Sequence, residues 1–190
     1  MTSRQIPDPW RSFLEDLDRI LPGPATLDCL GGFVLVHLYG LPRSTNDIDF
    51  VAVDTAIDPT RTLALLLEHG GRGSRLHSRH KVYLQYPAIA LYPEAYRTRT
   101  IRLRTPTLSR LRLRAFEAHD LVLSKLERFQ AVDREDLKHL ARTVPLDSDI
   151  LRARYEEELR PYALRTDRLD TTLALALEMI QEVQQSGGRG

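Results

Sequence analysis

The sequence predicts an α+β fold in two parts, with strands and helices interleaved up to residues 105–116 and helices alone thereafter. Three observations predict it. Trp10, Phe13, Leu14, Leu17 and Leu21 recur at helical spacing. Residues 47–53 alternate, with Ile48 and Phe50 on one face and Asp47 and Asp49 on the other, as a strand does. Beyond Phe116 the pattern turns helical and stays so to residue 183.

In chain order, residues 9–20 form an amphipathic helix that Pro22-Gly23-Pro24 ends. Residues 25–30 read as a short strand entering Gly31-Gly32, and residues 33–39 as a buried helix stopped by Gly40, Leu41 and Pro42. The strand 47–53 follows, then a helix over 59–68 ending at Gly70-Gly71, then one or two strands over 81–92 broken near Pro87. Strand-like alternation continues on both sides of Pro106, with residues 101–104 and 109–114 as an antiparallel pair. Helices are expected over 119–129, 134–142, 149–158 and 168–183.

Composition narrows the function classes. The chain has 190 residues, 42% of them hydrophobic and 28% charged, which is globular and excludes collagen-like or wholly disordered readings. With 27 basic and 26 acidic residues the net charge is +1, so a generally basic nucleic-acid coat is excluded while a local basic patch is not. Cys29 stands alone, so neither an intrachain disulfide nor a cysteine-based zinc cluster can form, and a reducing cytoplasm is the expected setting. The stretch 29–41 is too short to span a bilayer, and residues 1–9 carry no secretory signal, so a soluble protein with no membrane partner is expected. Arginine is the default cation, with 24 Arg against Lys81, Lys125 and Lys138 alone.

The informative segment is Gly31-Gly32, fourteen residues, then Asp47-Ile48-Asp49. Residues two apart on a strand point the same way, so these two carboxylates can grip one hard cation or help to bridge two. Magnesium is commonly held by one or two carboxylates plus substrate phosphates. A Gly-Gly between strand and helix lets backbone approach a triphosphate, and the N–H groups opening the next helix favour anionic oxygens. Arg43 and Ser44, with Thr45, stand just upstream of the acids and can add charge-assisted and hydroxyl bonds to phosphate. An Asp-x-Asp by itself also marks the solvent face of an edge strand; the combination with Gly-Gly and Arg-Ser-Thr is what points to a site.

Gly31-Gly32 through Asp47-Ile48-Asp49-Phe50 resembles the signature of the DNA polymerase β-like nucleotidyltransferase superfamily. The double glycine and the run Arg43-Ser44-Thr45-Asn46-Asp47-Ile48-Asp49 are similar to its AbiEii-type branch, which contains toxins of toxin–antitoxin and abortive-infection systems. The resemblance implies a small mixed sheet with helices and Mg²⁺-dependent transfer of a nucleotidyl group from an NTP, in some members to the 3′ end of tRNA. With the change of pattern near 105–116, it makes residues 1–110 a nucleotidyltransferase domain, followed by a helical domain over 111–185; composition makes 186–190 a flexible tail. Members usually carry a third carboxylate on a later strand. Residues 83–92 hold none, and Glu94 follows just after them.

In the second half, Lys125 and Arg128 lie three apart on a helix, near Arg134-Glu135-Asp136-Leu137. Solvated, helix-pairing charge is one reading. The other starts from the scarcity of lysine here, since a lysine offers a triphosphate a compact charge and three donors. The Leu-x-x-x-Lys-Leu followed by Arg-x-Asp-Leu also resembles the second block of the AbiEii-type enzymes. That resemblance implies that Lys125 meets the triphosphate and that Asp136 serves near the acceptor, with Arg134 beside it and Glu135 as a neighbouring alternative.

Arg102 and Arg104 share one parity and Arg110, Arg112 and Arg114 another, so one sheet face can carry five guanidiniums with Ile101, Leu103, Leu111 and Leu113 inward. Such a face would attract an RNA backbone by counterion release; the bland alternative is a solvated face neutralised by acids such as Glu156, Glu157 and Glu158. His77 and His80 read as loop histidines, His37 as a satisfied core or cleft residue, and Cys29 as a buried strand residue. The expected protein is an NTP-dependent nucleotidyltransferase with Mg²⁺ on Asp47 and Asp49, acting on RNA, and paired as a toxin with a cognate antitoxin. The alternative is a non-catalytic, degenerate nucleotidyltransferase that binds nucleotide, RNA or protein, or acts as an antitoxin.

Overall fold

A computed structural model describes residues 6–87 and 90–187. Its elements are α1 (Trp10–Ile20), β1 (Ala25–Leu30), α2 (Gly31–Tyr39), β2 (Asp47–Thr55), α3 (Pro59–Gly70), α4 (Arg75–His80), β3 (Tyr83–Gln85), a 3-10 helix Glu94–Arg99, β4 (Ile101–Arg102), β5 (Leu111–Ala115), α5 (Ala118–Leu123), α6 (Ala131–Thr143), α7 (Ser148–Arg154) and α8 (Thr166–Gly187). A π turn, Tyr155–Leu159, and a 3-10 turn, Arg160–Tyr162, connect α7 towards α8. The α+β class stands.

The chain divides into two compact units, one made of Met1–Ala88 and Thr100–Phe116, the other of Ile89–Arg99 and Glu117–Gly190. This differs from the division expected at 110/111. Leu111 and Leu113 alternate into the core and β5 pairs with β1, so the last strand belongs to the sheet. Residues 94–99 go with the helical unit because Arg99 forks onto Asp120 and Glu158, and Ala95 N–H donates to Glu158 at 3.1 Å. Of the expected tail, Ser186 and Gly187 end α8, and residues 188–190 lie outside the described residues.

The first unit is one mixed sheet in the order β3-β2-β1-β5-β4. β1 runs antiparallel to β2 and parallel to β5, β3 runs parallel to β2, and β4 antiparallel to β5. Leu27, Cys29, Ile48, Phe50, Leu111 and Leu113 are buried in it, with Phe13, Leu14 and Leu17 of α1. Asp18 is an acid on the buried side of α1, and it stays because it is fully used. It accepts N–H bonds from Ser109, Arg110 and Leu111 at 2.6–3.1 Å and so seats the first residue of β5. Burial pushes the Asp18 carboxyl up, but those backbone donors outweigh it and hold the acid below its ordinary range.

Three expectations change here. The strand over 81–92 shrinks to Tyr83–Gln85, before Tyr86-Pro87, and Ala88 and Ile89 fall outside the described residues. Residues 75–80 form a helix capped by Ser74, which accepts from His77 N–H at 3.1 Å. His77 and His80 therefore sit on a helix rather than a loop, with His80 Nε2 2.8 Å from Asp16 Oδ2. In the second unit α6 packs on α8. The helix expected over 119–129 ends at Leu123 and gives way to turns, with Phe129 in the left-handed region at φ 40°. Among the described residues no helix is long and apolar enough to cross a membrane.

Candidate active site

The site of the first unit is built where β1 becomes α2. The β1–β2 register slips between Asp28 and Cys29, so that Asp28 faces Ala52 while Cys29 faces Phe50. The extra residue, Val51, brings Asp49 level with Leu30, one residue before Gly31. Gly31 has φ +73°, and a Cβ built there would stand 2.4 Å from Asp49 Oδ2. The carboxylate occupies the room that any other residue's side chain would need. At Gly32 the same construction meets Thr45 Oγ1 at 3.0 Å and the Arg43 guanidinium nitrogens at 3.1 and 3.3 Å. The two glycines thus do separate things: the first admits an acid, the second admits a hydroxyl and a cation. α2 starts with no side-chain cap on its leading N–H groups.

Thr45 Oγ1 donates to Asp47 Oδ1 at 2.8 Å, and Arg43 Nη1 donates to the Ser44 carbonyl at 3.2 Å. Asp47 and Asp49 are both half-buried, whereas Arg43 and Ser44 are exposed. The neighbouring β3 places Tyr83 opposite Asp47 and Gln85 opposite Asp49. Burial and the Asp47 charge push the Tyr83 hydroxyl up, helped by its hydrogen bond to Asp47; Arg72 opposes the shift. The Arg72 guanidinium lies over the Tyr83 ring, 5.5 Å from its centroid, and the His77 ring lies 4.9 Å away.

Asp47 and Asp49 are the residues that could hold a divalent cation. Asp47 and Asp49 share a strand face and both charges act on Tyr83, and Asp49 is bedded against glycine backbone where phosphate oxygens can approach. No third acid joins them: among the described residues no group of three His, Cys, Asp or Glu could hold a metal. Glu94 belongs to the second unit, where its carboxylate takes the Tyr162 hydroxyl. Gly31→Ala is expected to destabilise the protein by about 1–3 kcal/mol, and by more than Gly40→Ala. Both glycines have positive φ, but a Cβ at Gly40 meets nothing within 4 Å. Urea unfolding of the two variants isolates the clash with Asp49.

In the second unit Lys125 is 8% exposed and Nζ donates to Asp133 Oδ1 at 3.1 Å and to Asp136 Oδ2 at 2.8 Å. Asp133 is 0% and Asp136 1% exposed. Arg128 forks onto Asp133 at 2.7 and 2.8 Å, and the Gln130 N–H opening α6 adds 3.0 Å. Burial pushes the Asp133 carboxyl up, but Arg128, the Lys125 charge and Gln130 N–H outweigh it and hold it at about 2. Lys125, in the turns after α5, and Asp136, on α6, meet as an ion pair, a contact the sequence reading did not assign to them. Asp133 is the partner that sequence reading missed, although its place three residues before Asp136 on one helix was the available signal.

The arginines do not form one free face. Arg102 pairs across strands with Arg114, so the shared parity is real. Arg114, however, donates to buried Asp28 at 2.7 Å and reaches Asp54 at 3.4 Å, and Arg110 Nη1 donates to the Leu21 carbonyl at 2.6 Å. Arg102, Arg104 and Arg112 are exposed. The acids proposed as neutralisers act elsewhere, Glu158 on Arg99 and Glu156 on Arg160. Leu103, Leu111 and Leu113 point inward, but Ile101 is 37% exposed. His37 is corrected too: its Nε2 is buried with no hydrogen-bond partner, and burial lowers its pKa to about 4. Cys29 is buried, and burial with the Asp28 and Asp49 charges pushes its thiol up.

A family model described as "Nucleotidyltransferase of unknown function (DUF6036)" matches residues 14–184. Two solved structures resemble the chain remotely. One is of a candidate nucleotidyltransferase from H. pylori, with 17% identity, 95% of this chain and 93% of that chain covered, and a TM-score of 0.32. The other is of JHP933 from Helicobacter pylori, with 17% identity, 95% and 90% covered, and a TM-score of 0.33. No curated protein matches the chain significantly.

Proposed function

We propose, from the premise that this chain belongs to the nucleotidyltransferase family DUF6036, that it moves a nucleotidyl group from an NTP to a hydroxyl of an RNA acceptor, the 3′ end of tRNA, as the toxin of a toxin–antitoxin pair. The observation that carries the chemistry is Asp49 seated in the space above Gly31, with Arg43 and Thr45 over Gly32. One strand-to-helix turn thereby offers carboxylates, backbone N–H groups and a guanidinium together. That is the donor set a metal-bound triphosphate requires.

In this reading the N–H groups opening α2 and the Arg43 and Ser44 side chains receive the triphosphate. Asp47, oriented by Thr45, and Asp49 would hold Mg²⁺, which when bound would neutralise charge on the phosphate oxygens. The acceptor hydroxyl loses its proton to solvent as its oxygen bonds to the α-phosphorus, and the bond to the bridging oxygen breaks to release pyrophosphate. In the second unit Lys125 donates to Asp133 and Asp136, and this reading gives it the work of holding those two acids. Asp136, at 1% exposure, orients Lys125 in place of meeting the acceptor. The second reading, a nucleotide-binding module without transfer, is favoured by the two-carboxylate count.

The experiment that tests the proposal is incubation with each α-labelled NTP, Mg²⁺ and total cellular RNA. Label entering one RNA species from one NTP is the expected result. NTP binding with no label in any RNA would establish the binding module, and no NTP binding would remove both. Arg102, Arg104 and Arg112 give a further expectation. Replacing the three by Ser should weaken RNA binding and flatten its salt slope by about two to three units if each contacts a phosphate. NTP binding should stay unchanged. Wild-type RNA labelling at every salt concentration would make these arginines ordinary solvated surface.

A further inference from the structure

β3 is the wall of the site that carries no charge of its own. In a parallel pair, register partners share a face, so Tyr83 stands beside Asp47 and Gln85 beside Asp49. A site for two divalent ions 3.5–4 Å apart needs enough carboxylate oxygen to bridge and balance them. Here a phenol and an amide stand where further carboxylates would have to be. The acid nearest along β1, Asp28, is fully buried and already holds Arg114. What β3 brings to the site is a cation. Arg72 leaves the turn after α3, is exposed, and stacks on Tyr83, which stands beside Asp47 in the β2–β3 register. Among the described residues no acid pairs with Arg72. An aromatic platform lowers the freedom of a guanidinium without using its N–H donors, which stay available for phosphate oxygens.

Resting on the nucleotidyltransferase reading, we infer that the site takes a single divalent cation on Asp47 and Asp49, and that the Arg72 guanidinium seated on Tyr83 supplies the other positive charge to the triphosphate. Arg72 is then a substrate-binding residue. Tyr83 is a positioning residue for Arg72.

Equilibrium dialysis of the whole chain with Mn²⁺ and each α,β-methylene NTP in turn counts bound metal and bound nucleotide without turnover. One Mn²⁺ per bound analogue is expected. Arg72→Ala should weaken analogue binding by about tenfold or more, the scale of a lost charge-assisted bond, with the ratio of metal to analogue still one. Arg61→Ala, an exposed arginine of α3, is the control that should bind as wild type. Two Mn²⁺ per analogue would overturn the single-cation inference and leave the nucleotidyltransferase reading standing. An Arg72→Ala protein that binds the analogue as wild type would overturn the role of Arg72. No bound analogue at all would remove the reading beneath both.

Discussion

Asp49→Asn is expected to lower nucleotidyl transfer by at least about 10³-fold, because a metal-binding carboxylate stabilises several kcal/mol of transition-state charge. Asparagine fills the same room above Gly31, so the clash that a larger side chain would bring does not arise. Asp47→Asn should behave alike, although it also weakens the acceptor that Thr45 now uses. Labelled-NTP transfer, with urea unfolding to check that the fold is kept, measures the effect. Full activity in both variants would sink the assignment of the site.

Lys125→Ala should destabilise the protein by about 3–5 kcal/mol, since it leaves two buried carboxylates short of their common partner. Lys138 is the control. It is half-buried, pairs with exposed Glu135 one helical turn away, and its replacement by Ala should leave stability nearly unchanged. Urea unfolding followed by helical circular dichroism separates the two. Equal stability would mean that the buried cluster carries none of the load. The same cluster sets an acid limit. Asp133 is held at about 2, below its ordinary 3.8, so its contribution is complete above about pH 4 and is lost as pH falls towards 2.

What could be read from the sequence was what lies close in the sequence. Gly31, Gly32, Arg43, Asp47 and Asp49 fall within nineteen residues, and a strand–turn–helix–strand pattern is enough to bring them together. The parity of Arg102 and Arg114 was legible for the same reason. Their neutralisation was not, because Asp28 and Asp54 lie 86 and 60 residues from Arg114 and meet it only through the β1–β5 pairing. Tyr83 and Arg72 carry no motif at all. They enter the site through the register of a three-residue strand, which the longer apolar run over 81–92 concealed. α4 was missed because Leu76 is its one buried residue, too little for a helical period to show. Lys125 and Asp136 were singled out by type, but not as partners of each other. Their burial decides what they can touch, and burial is not written in spacing.

The order of synthesis gives the sheet a period of risk. β1 is an interior strand, and its β2 neighbour is made soon after it, but the neighbour on its other edge, β5, comes only after the first piece of the helical unit has been made. Until Leu111–Ala115 leave the ribosome, the hydrogen-bonding edge of β1 stands open beside the apolar side chains of Leu27 and Cys29. An open interior edge is a template for pairing with another chain. A nascent chain stalled near residue 110, or a fragment cut there, would therefore present a sticky half-sheet. Asp18 waits on the completed α1 with a carboxylate for three amides, and it draws in the missing strand when that strand arrives.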